Sequence, residues 1–335
     1  MTAVSDGGRG EPRIGVVLGA GGVVGHAFHA GTLAALAEAT GWDARTATVI
    51  VGTSAGSVVG ALLRTGISPA DIAARATGAP VSPEGQERLL RLGPPRPYPG
   101  DGAREPLGPP AFPSRALLAR AALRPWQTRP GSLAAAVMPR GTVPTEPIVA
   151  GIRALYGRIA WPERALLICA VRLSDGQRVV FGRPGTPQVR VADAVAASCA
   201  IPAYFRPVSI AGFEYVDGGA HSPTNADVLA GERLDLVVIS SPMSTPWRGM
   251  LGGIDFPLRG VSRALLDGER LRLRRAGIPV VLFEPTAADR AVMGLDAMNP
   301  ARRGAVTEQS RRSALERLAD PAVRRRLSML TGAVR

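Results

Sequence analysis

The run Thr48-Val49-Ile50-Val51-Gly52-Thr53-Ser54-Ala55-Gly56-Ser57 constrains this chain more than any other stretch. β-Branched residues lead into Gly-x-Ser-x-Gly, and a small-residue, helix-compatible segment, 58–64, follows at once. The expected order is strand, sharp turn, helix, which is the context of a nucleophile elbow. Such a turn lifts the Ser54 hydroxyl out of the fold, while Gly52 and Gly56 remove side chains that would collide with the strand or the helix. The new helix aims its first N–H groups at the place where negative charge would develop. In a chain with 40 Gly the five-residue pattern also arises by chance. An ordinary strand-to-helix connection with a capping Ser would read the same, so the flanking motifs decide.

The first of these follows an earlier buried run, 13–18, which reads as a strand. It passes into Gly19-Ala20-Gly21-Gly22-Val23-Val24-Gly25 and then a helical segment to about Ala39. A dinucleotide site begins in the same way and wants glycines at relative positions one, three and six. Gly19 and Gly21 fit, but the sixth position is Val24. The next strand ends in Gly52-Thr53-Ser54, with no acidic residue for a ribose. A loop of backbone N–H donors for an oxyanion explains more, because glycines let the backbone approach a reacting group closely. Two such loops, after neighbouring parallel strands, lie at the sheet edge where α/β folds keep their sites.

Composition narrows the partners. All 40 basic residues are Arg, and with 27 acidic residues the net charge is +13. That charge favours anionic surfaces such as phospholipid headgroups or nucleic acid. Aromatic residues make up only 4% of the chain, which argues against base-stacking platforms, and no nucleic-acid motif accompanies the charge. Cys169 and Cys199 fit no metal or disulfide framework and read as reduced core residues. No metal or organic cofactor is implied. The N-terminal 1–12 is polar and reads as flexible, with no signal-like apolar region. No 18-residue apolar run is present. The expectation is a soluble cytoplasmic protein, with peripheral contact at an anionic membrane surface as a further one.

Length and hydrophobic content, 335 residues and 46%, suit one large α/β domain or two small ones. Segment 79–147 holds half of the 30 prolines and reads as an insertion, with one helical island at 114–123. Either it is an irregular excursion, or it forms a lid over an acyl-chain pocket. A helix is expected over 146–156, then a strand at 164–173 with a hairpin partner at 177–181. A small-residue helix follows from 191 and stops at Ile201-Pro202. The strand 213–216 delivers Asp217-Gly218-Gly219, and buried strands at 234–240 and 278–283 flank a helix at 262–275. The last segment, 291–335, is Arg-rich and helical from 307 to 329. Its Arg311, Arg312, Arg317, Arg324, Arg325 and Arg326 either face solvent or meet anionic lipid.

With Asp217 reached, the chain resembles the patatin-like phospholipases, a family of lipid acyl hydrolases. The resemblance rests on three blocks in order: 18–25 with 28–33 behind it, 51–57, and 197–205 with 216–219. It spans roughly 13–242 apart from the Pro-rich segment, and places the hydrolase domain at 13–290. It implies a three-layer α/β/α fold with a largely parallel central sheet. It also implies a dyad, Ser54 as nucleophile and Asp217 as general base, acting on lipid or acyl esters without a cofactor. The backbone N–H groups of Gly21, Gly22 and Ala55 are the expected oxyanion donors. Gly19, Gly25, Gly52, Gly56, Gly218 and Gly219 support the turns. Many members carry Arg or Lys where this chain has Val24, and Ala20 stands where a glycine is usual. The missing charge puts phosphate-headgroup recognition in doubt and favours neutral acyl esters.

Two alternatives stay open. His221 lies four residues after Asp217 and suggests a triad, although an α/β-hydrolase places its His near the last strand, and two expected strands still follow. His26 and His29 are explained by packing or capping in the first helix. The second alternative is a catalytically silent lipid-binding or regulatory protein that keeps the fold. The oligomeric state is not readable from the chain.

Overall fold

The computed structural model describes residues 11–94, 114–123, 129–246 and 256–331. The strands are β1 Ile14–Leu18, β2 Val49–Thr53, β3 Ala165–Arg172, β4 Gln177–Phe181, β5 Val208–Ile210, β6 Phe213–Asp217, β7 Leu236–Ser240 and β8 Val280–Phe283. The helices are α1 Gly22–Thr40, α2 Ala55–Arg64, α3 Pro69–Thr77, α4 Pro83–Leu92, α5 Arg115–Leu123 and α6 Pro130–Val137. They continue with α7 Glu146–Tyr156, α8 Val191–Ser198, α9 Phe256–Arg275, α10 Ala287–Met293, α11 Arg303–Ala319 and α12 Pro321–Thr331.

One sheet runs in the order β5-β6-β3-β2-β1-β7-β8, with β4 on the other edge of β3. β3, β2, β1, β7 and β8 are mutually parallel, and β4, β5 and β6 are antiparallel additions. The parallel strands are unbroken apolar runs because both faces are covered. Alternate residues enter two different cores. Val16, Leu18, Ile50, Ile168 and Val238 join the side chains of α1, α2, α7, α8, α11 and α12 on one face. Val17, Val51, Leu167 and Ile239 meet Leu266 and Leu273 of α9 and the turn at 226–229 on the other. Helices on both faces of a mostly parallel sheet make the three-layer α/β/α arrangement.

The Pro-rich segment contains more regular structure than its composition suggests. Ser82 and its following Pro open α4 with a side-chain cap to the Gly85 N–H, as an N-cap with Pro at the first helical position should. The helical island is present as α5, and α6 follows it. The proline clusters beyond position 94, like most of the N-terminal 1–12, lie outside the described residues. β5, α10 and the break between α11 and α12 at Asp320-Pro321 were also absent from the sequence expectation.

The C-terminal Arg-rich helices are part of the main core. Ala314, Leu318, Val323, Leu327 and Leu330 are buried there, so the amphipathic pattern is explained by docking on the rest of the chain. Several of the arginines bind protein groups: Arg311 pairs with Glu38 at 2.6 Å, and Arg317 Nε donates to the Leu282 carbonyl at 3.0 Å. α11 lies against α1 at a small-residue contact. A Cβ built on Gly31 would overlap the Thr307 carbonyl and the Ser310 hydroxyl, and reach 2.8 Å from the Arg311 nitrogen. Overpacking of this kind costs about 1–3 kcal/mol. Gly31→Ala is therefore expected to lower the melting temperature by several degrees in a circular-dichroism melt, and an unchanged midpoint would contradict the close α1–α11 approach.

Candidate active site

Ser54 sits between β2 and α2 with φ +51° and ψ −121°, a left-handed conformation that is costly for a residue with a Cβ. The turn is possible because its neighbours are glycine. A Cβ on Gly52 would come 2.7 Å from the Ser57 nitrogen, and one on Gly56 would overlap the Leu18 carbonyl. Three hydrogen bonds hold the turn: Ser54 N–H to Ser198 Oγ at 2.9 Å, Ser198 Oγ to the Cys169 carbonyl at 2.7 Å, and Ser57 Oγ to the Ser54 carbonyl at 2.6 Å. Ser198 thus couples α8 and β3 to the elbow.

Asp217 reaches Ser54 through strand pairing. β3 outlasts β2, so its edge carries β2 along Ala165–Cys169 and then β6 along Ala170–Arg172. Thr53 pairs with Cys169 and Asp217 with Ala170. Because β2 is parallel to β3 and β6 antiparallel, their C-terminal ends meet head-on. The Ser54 side chain lies near enough to the Asp217 carboxyl to hold its pKa down against burial. The Gly219 N–H donates to Asp217 Oδ1 at 2.7 Å, and the Asp217 N–H to the Ala200 carbonyl at 2.9 Å. Burial pushes the Asp217 carboxyl up to about 6, against the opposing effect of the bonds from Ser54 and Gly219.

Behind the pair lies a buried polar network. Asn225, itself left-handed at φ +53°, donates to Thr53 Oγ1 at 3.1 Å, the Gly218 carbonyl at 3.4 Å and the Ser222 carbonyl at 2.6 Å. Glu269 of α9 accepts from Thr224 Oγ1 at 2.5 Å and the Ala226 N–H at 2.9 Å. These residues were missed in the sequence because Asn225 and Glu269 carry no local pattern.

The glycine loop is fixed to β7. Gly19 N–H donates to the Ser240 carbonyl at 3.0 Å and Ala20 N–H to the Pro223 carbonyl at 2.7 Å. His29 Nε2 contacts the Gly19 carbonyl at 2.8 Å and Nδ1 contacts Ser240 Oγ at 2.8 Å. A carbonyl only accepts, so Nε2 carries the proton and the Ser240 hydroxyl donates to Nδ1. Burial holds His29 down at about 4, so it is neutral. Val24 N–H is taken by the Ala297 carbonyl and Gly25 N–H by the Gly21 carbonyl. Among the described residues, the amides of Gly21 and Gly22 have no backbone acceptor in this loop, and neither does that of Ala55. Gly22 has φ +61°, and a Cβ there would meet the Ala297 carbonyl oxygen at 2.7 Å. Val24 is packed among Ala27, Phe28, Met293 and Val306.

His221 stands apart. Its N–H donates to the Gly218 carbonyl at 3.0 Å, and its ring feels Arg178, Arg129, Asp227 and Arg272 electrostatically. Burial, first, and the nearby arginines hold it down at about 3. The groups that hold the Asp217 pKa down are Ser54 and the Gly219 N–H.

Ser54, Ala55 and Gly22 open onto a cleft of 160 Å³. Val58, Leu62, Ile72, Leu89, Ile148 and Ile152 make its apolar wall. Leu89 and Leu92 bring α4 into that wall as a packed component. Gly21 borders a separate 80 Å³ cavity with Val24 and Pro242. Cys199 also lines the cleft, its thiol pushed far up by burial. Among the described residues no cluster of His, Cys, Asp and Glu is arranged to hold a metal ion, and no helix is long and apolar enough to cross a membrane.

A serine at a strand-elbow-helix turn thus lies beside a buried carboxyl and a glycine loop. The family model for patatin-like phospholipases matches residues 16–230, and the chain belongs to that family, whose members are generally lipid acyl hydrolases. Among solved structures it is similar to VipD from Legionella pneumophila, at 12% identity and a TM-score of 0.42, covering 92% of this chain and 66% of that one. It is also similar to the ExoU–SpcU complex of the type III secretion system of Pseudomonas aeruginosa, at 21% identity and a TM-score of 0.36, covering 95% of this chain and 52% of that one. The chain thus spans between about half and two thirds of those proteins. No curated protein sequence matches it.

The buried carboxyl has a thermodynamic signature. Its folded-state pKa is raised from 3.8 to about 6, so ionisation opposes folding. The penalty is absent below the unfolded value, grows between the two, and is complete above about 6. A shift of that size is worth about 3 kcal/mol. Asp217→Asn, which keeps an oxygen for Ser54 and Gly219, is expected to melt higher than wild type at pH 8 and at the same temperature near pH 3.8. A lower melting point at pH 8 would contradict the raised pKa.

Proposed function

We propose that the protein hydrolyses carboxylic esters of lipids with a Ser54–Asp217 dyad. The observation that carries the reading is Ser54, held in a left-handed elbow beside the buried Asp217 carboxyl and on the wall of an apolar cleft. Asp217 accepts the serine proton as Oγ attacks the acyl carbonyl. The amides of Gly22 and Ala55, which line the cleft, and that of Gly21 beside them stabilise the oxyanion. Losing one such donor typically costs roughly a hundred- to a thousandfold in rate. The alcohol leaves with the proton from Asp217. Water, deprotonated by the same carboxylate, then attacks the Ser54 ester and releases the fatty acid. The net charge of +13 draws the protein to anionic lipid, an attraction that salt screens.

A base with a pKa near 6 is active only when ionised, so kcat/KM should fall about tenfold per pH unit below that value and level off above it. A fluorophosphonate probe is expected to label wild type and not Ser54→Ala. Asp217→Ala should lose about a thousandfold or more in ester hydrolysis, a loss typical of dyad and triad members, while His221→Ala retains it. No labelling of wild type under any condition would instead favour a silent lipid-binding protein. Loss of hydrolysis in His221→Ala with Asp217→Ala still active would replace the dyad.

A further inference from the structure

The cleft that holds Ser54 is apolar along most of its wall, yet among the described residues it also carries two guanidinium groups and an imidazole and no carboxylate. The groups are Arg75 of α3, Arg303 at the start of α11, and His26 of α1. Gly304 lies against the last turn of α3, with an added Cβ 3.5 Å from the Ala76 carbonyl, and this contact brings the two arginines together. Arg75 donates to the Gly93 carbonyl at 2.7 Å. Among the described residues, the Arg303 guanidinium and the His26 ring have no side-chain hydrogen bond or ion pair, while the Arg303 carbonyl accepts from Thr307 Oγ1 at 2.9 Å. Burial and the charge of Arg303 lower the pKa of Arg75.

Several other partly buried arginines are neutralised by carboxylates, and others, such as Arg64, are held by three backbone carbonyls. Arg178 meets Asp227 at 2.6 Å, Arg172 meets Asp175 at 2.6 Å, and Arg263 meets Glu284 at 2.5 Å. Two like charges beside an apolar cleft with no counter-ion are unfavourable by themselves, and a guanidinium binds oxyanions strongly through charge-assisted, often bidentate bonds. We propose that Arg75 and Arg303, with His26 beside them, form a subsite for an oxyanion carried by the substrate, the phosphate of a lipid headgroup. The acyl chain then lies on the apolar wall while the ester reaches Ser54. This inference rests on the lipid-ester reading above and adds the charge class of the substrate. The cation absent at Val24 is supplied from α3 and α11, contrary to the expectation of neutral esters.

The test is binding to Ser54→Ala protein, which separates recognition from turnover. Calorimetry would compare decanoyl lysophosphatidic acid with monodecanoylglycerol, which share chain and ester and differ in the phosphate, both below their aggregation concentrations. Adding Arg303→Gln is expected to reduce the affinity ratio of charged to neutral ligand by tenfold or more, and added salt should reduce it in the Arg303 protein. The Arg303 side chain has no hydrogen-bond or ion-pair partner among the described residues, and the melting temperature of each variant is checked alongside. Arg75→Met serves as a second variant with the same expectation. A ratio that changes less than twofold in both variants would overturn the subsite. Arg303-dependent binding of inorganic phosphate alone, with equal affinity for the two lipids, would overturn the headgroup assignment in favour of a free-phosphate site. Failure of wild type to react with the fluorophosphonate would count against Ser54 as nucleophile, and the binding ratio would still decide the subsite.

Discussion

The arrangement of the site depends on the length of one strand. β3 is eight residues long and β2 five, so β3 continues past the end of its parallel neighbour with an unfilled edge. β6 takes that edge from the opposite direction. Hydrogen-bonding partners along β3 therefore set the distance between the two strand ends, since Thr53 and Asp217 pair with successive residues, Cys169 and Ala170. Residues 163 positions apart in the chain meet with little contribution from flexible loops. Strand pairing fixes register as well as distance, because a one-residue slip would turn Asp217 to the other face.

Placing a carboxyl in this corner removes it from water, and the surroundings compensate only in part. It receives donors from Ser54 and Gly219 but no cation. A carboxyl so placed stays protonated to a higher pH. The neighbouring loops cannot relax to relieve this. Asn225 ties Thr53 to the turn at 218–222, Glu269 anchors 224–226 to α9, and His29 with Ser240 fixes the glycine loop to β7. Three independent elements thus converge on a volume that none of them could define alone, which is how fixed dipoles are pre-oriented for developing charge.

The arginine content divides by location. Arg178, Arg172 and Arg263 neutralise carboxylates at the ends of strands and along α9. Arg317 and Arg326 close carbonyls at the end of the sheet, the second at 3.4 Å from Val280. On the cleft wall, Arg75 holds the Gly93 carbonyl at 2.7 Å, and the Arg303 guanidinium has no hydrogen-bond or ion-pair partner among the described residues.

Much of this was legible in the chain itself. The β-branched run into Gly-Thr-Ser-Ala-Gly specified a strand, a left-handed turn and a helix, because only glycine neighbours tolerate that backbone. Unbroken apolar strands announced a sheet covered on both faces, and Asp217-Gly218-Gly219 stood out beside a short strand. Periodicity read the Arg-rich C-terminus as helical but could not say what its apolar side met; that is α1, approached closely at Gly31. The Pro-rich composition hid α4, since proline is favourable at a first helical turn and composition does not record position. Local sequence determined which groups were chemically available: a hydroxyl on an elbow, a carboxylate on a turn, amides in a glycine loop. Only the tertiary structure decided that they share one corner and that Arg75 and Arg303 line the same cleft, because those contacts depend on strand register and helix docking between segments far apart in the chain.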